Sequence, residues 1–210
     1  CRVAPGTAVR LDDWDPTDWL GLSKADAEAM LDGNAARLGA LHERLYASRT
    51  WAVLLLLQGM DASGKDGTVK HVLYSLNPQG VTVTSFKVPT PLELSHDFLW
   101  RVHAVAPAAG MMAVFNRSHY EDVLVTRVHG LIGEAEVKRR YEHIRAFEAL
   151  LNGGHTRIVK LYLHVSKEEQ KQRLQARLDD PEKRWKFNVG DLKERERWDD
   201  YTKAYEDTIS

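Results

Sequence analysis

A chain of 210 residues with 43% hydrophobic and 28% charged residues is one domain's worth of ordinary globular sequence. Its net charge of −1 argues against a broad nucleic-acid surface, and no apolar run approaches the length of a membrane-crossing helix, so neither nucleic acid nor membrane is an expected partner. Cys1 is the single cysteine, which excludes an intrachain disulfide and suits a reducing, cytoplasmic setting, while the histidines form no His-Glu-x-x-His motif and no Cys/His cluster for zinc. The chain begins without methionine, so a preceding piece is expected.

Residues 1–22 are turn-rich, and Trp14 and Trp19 mark them as an arm packed on the domain. Ser23 and Asp26 have the spacing of a helix start, and Leu31, Leu38, Leu41 and Leu45 recur at helical spacing to about Tyr46. Trp51 to Gln58 is apolar throughout, the pattern of a central parallel strand covered on both faces. A helix follows from Gly64 to Leu76, with Val69, Val72, Leu73 and Leu76 as its buried stripe and Asn77-Pro78 as its stop. Val81 to Phe86 reads as a strand, and Pro89 and Pro91 force a loop before an amphipathic segment from Leu92 to Val105.

Met111 to Phe115 is a further buried strand, and a helix from about Glu136 to Leu151 stops at Asn152-Gly153-Gly154. Ile158 to Val165 is the next strand. Ser166 and Glu169 form a capping box for the helix that carries Arg173 and Arg177 and ends at Asp180-Pro181. A basic and aromatic loop runs to Gly190, and Asp191 and Glu194 cap a last helix with Trp198, Tyr201 and Tyr205 on one face. Strands alternating with helices predict a three-layer α/β/α domain with a parallel sheet. Residues 1–50 are its arm and first helix, 51–165 its core, and 166–210 a helical lid and final helix.

The segment from Gly59 through Ala62, Ser63, Gly64, Lys65, Asp66 and Gly67 to Thr68 is a strand-to-helix phosphate loop. Glycines let successive N–H groups converge on one anion, the new helix points its positive end there, and Lys65 adds a full charge. Asp66 and Thr68 depart from the common Gly-Lys-Ser/Thr ending. Asp61 inside the loop would repel phosphate unless a cation lay between them, so it is a candidate magnesium contact.

Asn116, Arg117, His119, Glu121 and Asp122 form a second constellation directly behind a strand, where parallel α/β sheets bind ligands. Asn116 stands where a generic P-loop enzyme has aspartate, so cation-binding charge must come from Asp61, Glu121 or Asp122. Taken alone, Arg117 and Asp122 would read as a surface ion pair at a helix start. Arg173, Arg177, Lys183, Arg184 and Lys186 give a cationic stretch that, taken alone, is equally a solvated helix face.

Gly59-Met60-Asp61-Ala62-Ser63-Gly64-Lys65-Asp66-Gly67-Thr68, Ser95 to Arg101, Phe115 to Val125, Arg173 to Asp179, Lys183 to Phe187 and Trp198, in this order, resemble the polyphosphate kinase 2 family. The resemblance runs from about residue 10 to Ile209. Asn116 followed by Glu121-Asp122 is similar to its class III, whose members phosphorylate AMP and ADP with inorganic polyphosphate and run backwards with ATP.

The resemblance implies a P-loop kinase fold and magnesium, with manganese able to substitute. Asp61 and Lys65 would serve the metal and the transferring phosphoryl, and Arg117 would clamp phosphate. Asp122 would lie on the acceptor side, favour monophosphates and contribute to the metal. Arg173, Arg177, Lys183, Arg184 and Lys186 would line a mobile lid for polyphosphate. It also implies a homo-oligomer, and a chain cut short at Ser210, because family members continue with a further aromatic and basic stretch. The rivals are an ATP-dependent nucleoside or nucleotide kinase on the same fold and a nucleotide-gated switch; the lack of an Asn-Lys-x-Asp motif counts against the second.

Overall fold

Alternate side chains of a strand face opposite ways, so an unbroken apolar run needs a cover on both sides. The computed structural model, which describes residues 2–4 and 6–210, shows how the run is covered; Cys1 lies outside the described residues. β1 (Ala52–Gln58) is the inner strand of a four-stranded sheet, between β3 (Met112–Asn116) and β4 (Thr156–Tyr162), with β2 (Val81–Ser85) outside β3. All pairings are parallel.

Leu54, Leu56, Ala113 and Phe115 face one core with Val123 and Leu124 of α5 (Glu121–Val128), Ile144 and Phe147 of α6 (Glu134–Gly153), and Ala204 and Tyr205 of a C-terminal helix. Leu55, Leu57, Met112 and Val114 face the other, with Leu38 and Leu45 of α1 (Lys24–Ser48) and Val69 of α2 (Lys65–Val72). Two covered faces make the three-layer α/β/α arrangement that the sequence predicts.

The boundaries differ from expectation where local chemistry intervenes. Ser23 and Asp26 do close a capping box on α1. Its buried side, however, carries Ala35 and His42, while Leu31 and Leu41 are exposed. His42 Nε2 lies 3.0 Å from the Gly80 carbonyl oxygen, and a Cβ at Gly80 would stand 2.8 Å from the His42 ring. The α2 helix stops at Val72, four residues early, and Leu73 and Leu76 pack from a turn.

The amphipathic segment 92–105 is two short helices, α3 (Pro91–Leu94) and α4 (Trp100–His103). Thr90 and Glu93 cap the first, and Asp97 accepts from the Leu99 N–H before the second. Ser166 caps the next helix, α7 (Lys167–Asp179), yet the box is only half closed, because Glu169 bonds Arg173 instead of reaching back. The single last helix is also two, α8 (Val189–Glu196), capped by Asn188 and not by Asp191, and α9 (Trp198–Ile209). Glu194 accepts from the Tyr201 hydroxyl rather than capping.

The arm does pack. The Val9 N–H donates to Ser210 Oγ and the Leu11 N–H to Glu206, and Trp14 is half-buried, although Trp19 stays exposed. The start of α5 is held from behind by Glu148 of α6, which accepts from the Tyr120 hydroxyl at 2.8 Å and from Lys160 at 2.7 Å, with His119 Nε2 at 3.4 Å. Burial alone would raise the Glu148 pKa, but His119 and Lys160 outweigh it and hold it near 2.

A depressed carboxylate stabilises the fold above its unfolded pKa and loses that contribution as pH falls through the folded one. Stability should therefore drop between about pH 4.5 and pH 2, and denaturant midpoints of Glu148→Gln should change much less across that window than those of the parent. Parallel pH profiles for the two proteins would overturn this.

Candidate active site

The phosphate loop leaves β1 at Gln58 and must turn sharply to start α2. Gly59 has φ +149°, and a Cβ there would fall 2.7 Å from both the Leu163 carbonyl and Ser63 Oγ; Gly64, the N-cap of α2, has φ +109°. Lys65 is folded back on this loop. Its Nζ donates to the carbonyls of Gly59 (2.6 Å) and Met60 (3.0 Å) and to Ser63 Oγ (3.4 Å). Burial, together with the Arg117 charge, pulls its pKa down to about 8 against the opposing pull of Asp61, Glu121 and Asp66. Gly67 is open, and the Thr68 hydroxyl bonds the Gly64 carbonyl.

The end of β3 lies beside the loop because β3 and β1 are neighbours. Arg117 has φ +63°, and its backbone N–H donates to Leu57. Its guanidinium bonds Asp61 at 2.5 Å and Glu121 at 3.4 Å. Burial works against that charge, but Glu121 and Asp61 more than restore it and hold the group above its ordinary range. Burial raises the Glu121 pKa in turn. Asn116 donates to Asp66 at 2.7 Å, and Lys186 Nζ lies 3.8 Å from the same carboxylate.

From α7, Arg173 donates to the carbonyls of Ala62 and Ser63, and Gln170 donates to that of Asp61. Arg177 pairs with Asp191 at 3.6 Å. A cavity opens between the loop and the C-terminal helices, lined by Asp61, Arg117, Glu121, Gln170, Trp198 and Tyr201 among others.

The family model for polyphosphate kinase 2 matches residues 21–210. The chain belongs to the polyphosphate kinase 2 family. It is 51% identical to the AMP/ADP-polyphosphate phosphotransferase of Meiothermus ruber over 99% of this chain and 79% of that one. It is 48% identical to the ADP-polyphosphate phosphotransferase of Rhodopseudomonas palustris over 100% of this chain and 77% of that one. The crystal structure of polyphosphate kinase 2 from Arthrobacter aurescens superposes with a TM-score of 0.93 at 51% identity, covering 98% of this chain and 74% of that one.

Within this polyphosphate kinase 2 chain, Asp61, Lys65, Asp66, Asn116, Arg117, Glu121, Arg173 and Lys186 come together as the sequence predicts. Others do not. His119, a member of the second constellation, is wholly buried between Glu148 and the Phe147 ring, because the turn before α5 points it into the core. Lys183 pairs with Asp180, and Arg184 donates to the Leu178 carbonyl, so both serve their own turn.

Asp122 is neither a surface pair nor beside Asp61. It is buried against Arg101 at 3.2 Å, and Arg101 also donates to the Lys87 carbonyl and lies over the Phe86 ring. Among the described residues no three His, Cys, Asp or Glu side chains cluster for a metal. A magnesium ion that keeps waters and shares phosphate oxygens needs only one or two carboxylates. Asp61, partly open at the loop, fits that requirement; Asp122, occupied by Arg101, does not.

No motif in the sequence gives a site role to Gln170 or to Arg101, although Arg101 closes the family-like run from Ser95. The signal for Gln170 was available: a polar side chain four residues before Leu174, on the apolar register of α7.

Proposed function

We propose that this chain is a cytoplasmic, self-associating phosphotransferase that moves the terminal phosphoryl of inorganic polyphosphate to AMP and ADP, giving ADP and ATP, and runs in reverse with ATP. The observation that carries this is the single cluster of Lys65, Asp61 and Arg117 at the mouth of the phosphate loop. The names of the relatives support the donor and both acceptors. Among the described residues no helix is long and apolar enough to cross a membrane, and exposed Trp19, Leu20, Met30, Leu31 and Leu41 offer a surface for association.

Phosphoryl transfer asks the protein for position and charge rather than covalent chemistry. Lys65 leaves the loop carbonyls for the transferring group. Arg117 exchanges Asp61 for phosphate, which frees the Asp61 carboxylate for the cation. Asp61 would hold magnesium or manganese, which supplies charge neutralisation to the phosphate oxygens. Arg173, Arg177 and Lys186 would line the polyphosphate path, with residues 166–210 as the lid over the 51–165 core and the whole of 1–210 acting as one domain.

The test is direct. Purified protein with polyphosphate should make ADP from AMP and ATP from ADP, stop with a chelator, and recover with magnesium or manganese. Phosphorylation of nucleosides from ATP with no use of polyphosphate would favour the rival kinase reading.

A further inference from the structure

We infer that Gln170 is a positioning residue, holding the phosphate loop in its anion-binding shape from α7. Only Gln170 and Leu174 are buried on α7, each 3% exposed. A buried amide is costly unless it is bonded, whereas leucine would fill the same space without that cost. Both ends of this amide are used. Nε2 donates to the Asp61 carbonyl at 2.9 Å, and Oε1 accepts from Arg195 of α8 at 3.0 Å.

What lies in its grip is strained. Ala62 has φ +60°, a left-handed conformation that a residue with a Cβ adopts only when its surroundings impose it. Gln170 fixes the carbonyl before Ala62. Arg173, one turn further along α7, fixes the carbonyls of Ala62 and Ser63 at 3.1 and 3.0 Å. A planar trans peptide sets its N–H opposite its C=O. Drawing the Asp61 carbonyl toward α7 therefore turns the Ala62 N–H away from α7, and holding the Ser63 carbonyl does the same for Gly64. Gln170 thus acts through the loop backbone, its amide being committed to the Asp61 carbonyl and to Arg195.

The inference rests on the proposed reading of the loop as the phosphate site. Two variants test it. Gln170→Leu keeps the volume and loses both bonds; Gln170→Glu keeps an acceptor for Arg195 and loses the donor to Asp61. Both should lower kcat for ADP about tenfold at saturating polyphosphate, the size of one lost hydrogen bond expressed in the transition state. Melting temperatures should stay within a few degrees of the parent.

Amide hydrogen exchange across residues 59–65 of the unliganded protein should speed up in both variants, a readout that needs no substrate. Parental kcat together with unchanged loop exchange would overturn the inference. So would a loss confined to Gln170→Leu, which would make the Arg195 bond or the packing the cause. Should the parent itself fail to use polyphosphate, the functional reading falls while the exchange measurement still decides the role of Gln170.

Discussion

Lys65→Ala is expected to lower turnover by about a hundredfold or more, because one preorganised charge at a developing phosphoryl oxyanion contributes about 3 kcal/mol. The parent should also show an unusual pH dependence. Its buried amine titrates near pH 8 in the free protein, where an ordinary lysine would hold its proton to 10.5. Since the charged form is the useful one, kcat/KM should fall above about pH 8. A bound polyanion restores favourable charge around the amine, so kcat should persist to higher pH.

Stability runs the opposite way with pH. A lysine whose folded pKa is depressed costs stability while charged, and that cost fades as pH rises from about 8 to 10.5. Lys65→Ala should therefore fold, and steady-state rates on the folded variant across pH 6–10 decide the matter. Near-parental turnover, or a kcat/KM profile flat through pH 9, would remove Lys65 from the chemistry.

Asp122→Ala is expected to destabilise the protein by about 3–5 kcal/mol, the range for deleting one partner of a buried ion pair. Arg101 would be left charged beside Phe86 and the Lys87 carbonyl without its buried carboxylate partner. Asp122→Asn should cost less and should reduce AMP and ADP phosphorylation by the same factor. The pair anchors α5 to α4, and α5 carries Glu121, so any loosening disturbs both acceptors alike. Denaturant unfolding and rates with each acceptor test this. A selective loss on AMP with unchanged stability would return Asp122 to the acceptor side, the role that family resemblance implied.

The phosphate loop was fully legible in the chain. Its apolar strand, glycines, lysine and acidic insertion are consecutive, so local geometry alone brings them together. Asn116 and Arg117 were legible for a related reason, since a polar group directly behind a buried parallel strand has one place to go. Asp122 and His119 face other partners although they sit in the same run. A helix turns 100° per residue, and which of several adjacent polar side chains faces the cleft depends on where the helix starts. The turn before α5 sends His119 to Glu148, Glu121 to Arg117 and Asp122 to Arg101.

Pairings across elements were beyond reach for a different reason. Gln170 and Asp61 are 109 residues apart, and Arg101 and Asp122 are 21 apart on separate helices. Spacing can place Gln170 on the apolar register of its helix, but it names neither Asp61 nor any other distant partner. Composition and pattern by themselves determined the layers, the parallel sheet and the phosphate-binding chemistry, because these follow from periodicity and from contiguous motifs. Tertiary structure alone decided which carboxylate stays open to a cation, which is consumed by a buried arginine, and which helix holds the strained loop in place. Those outcomes depend on burial and on partners that only the folded chain supplies.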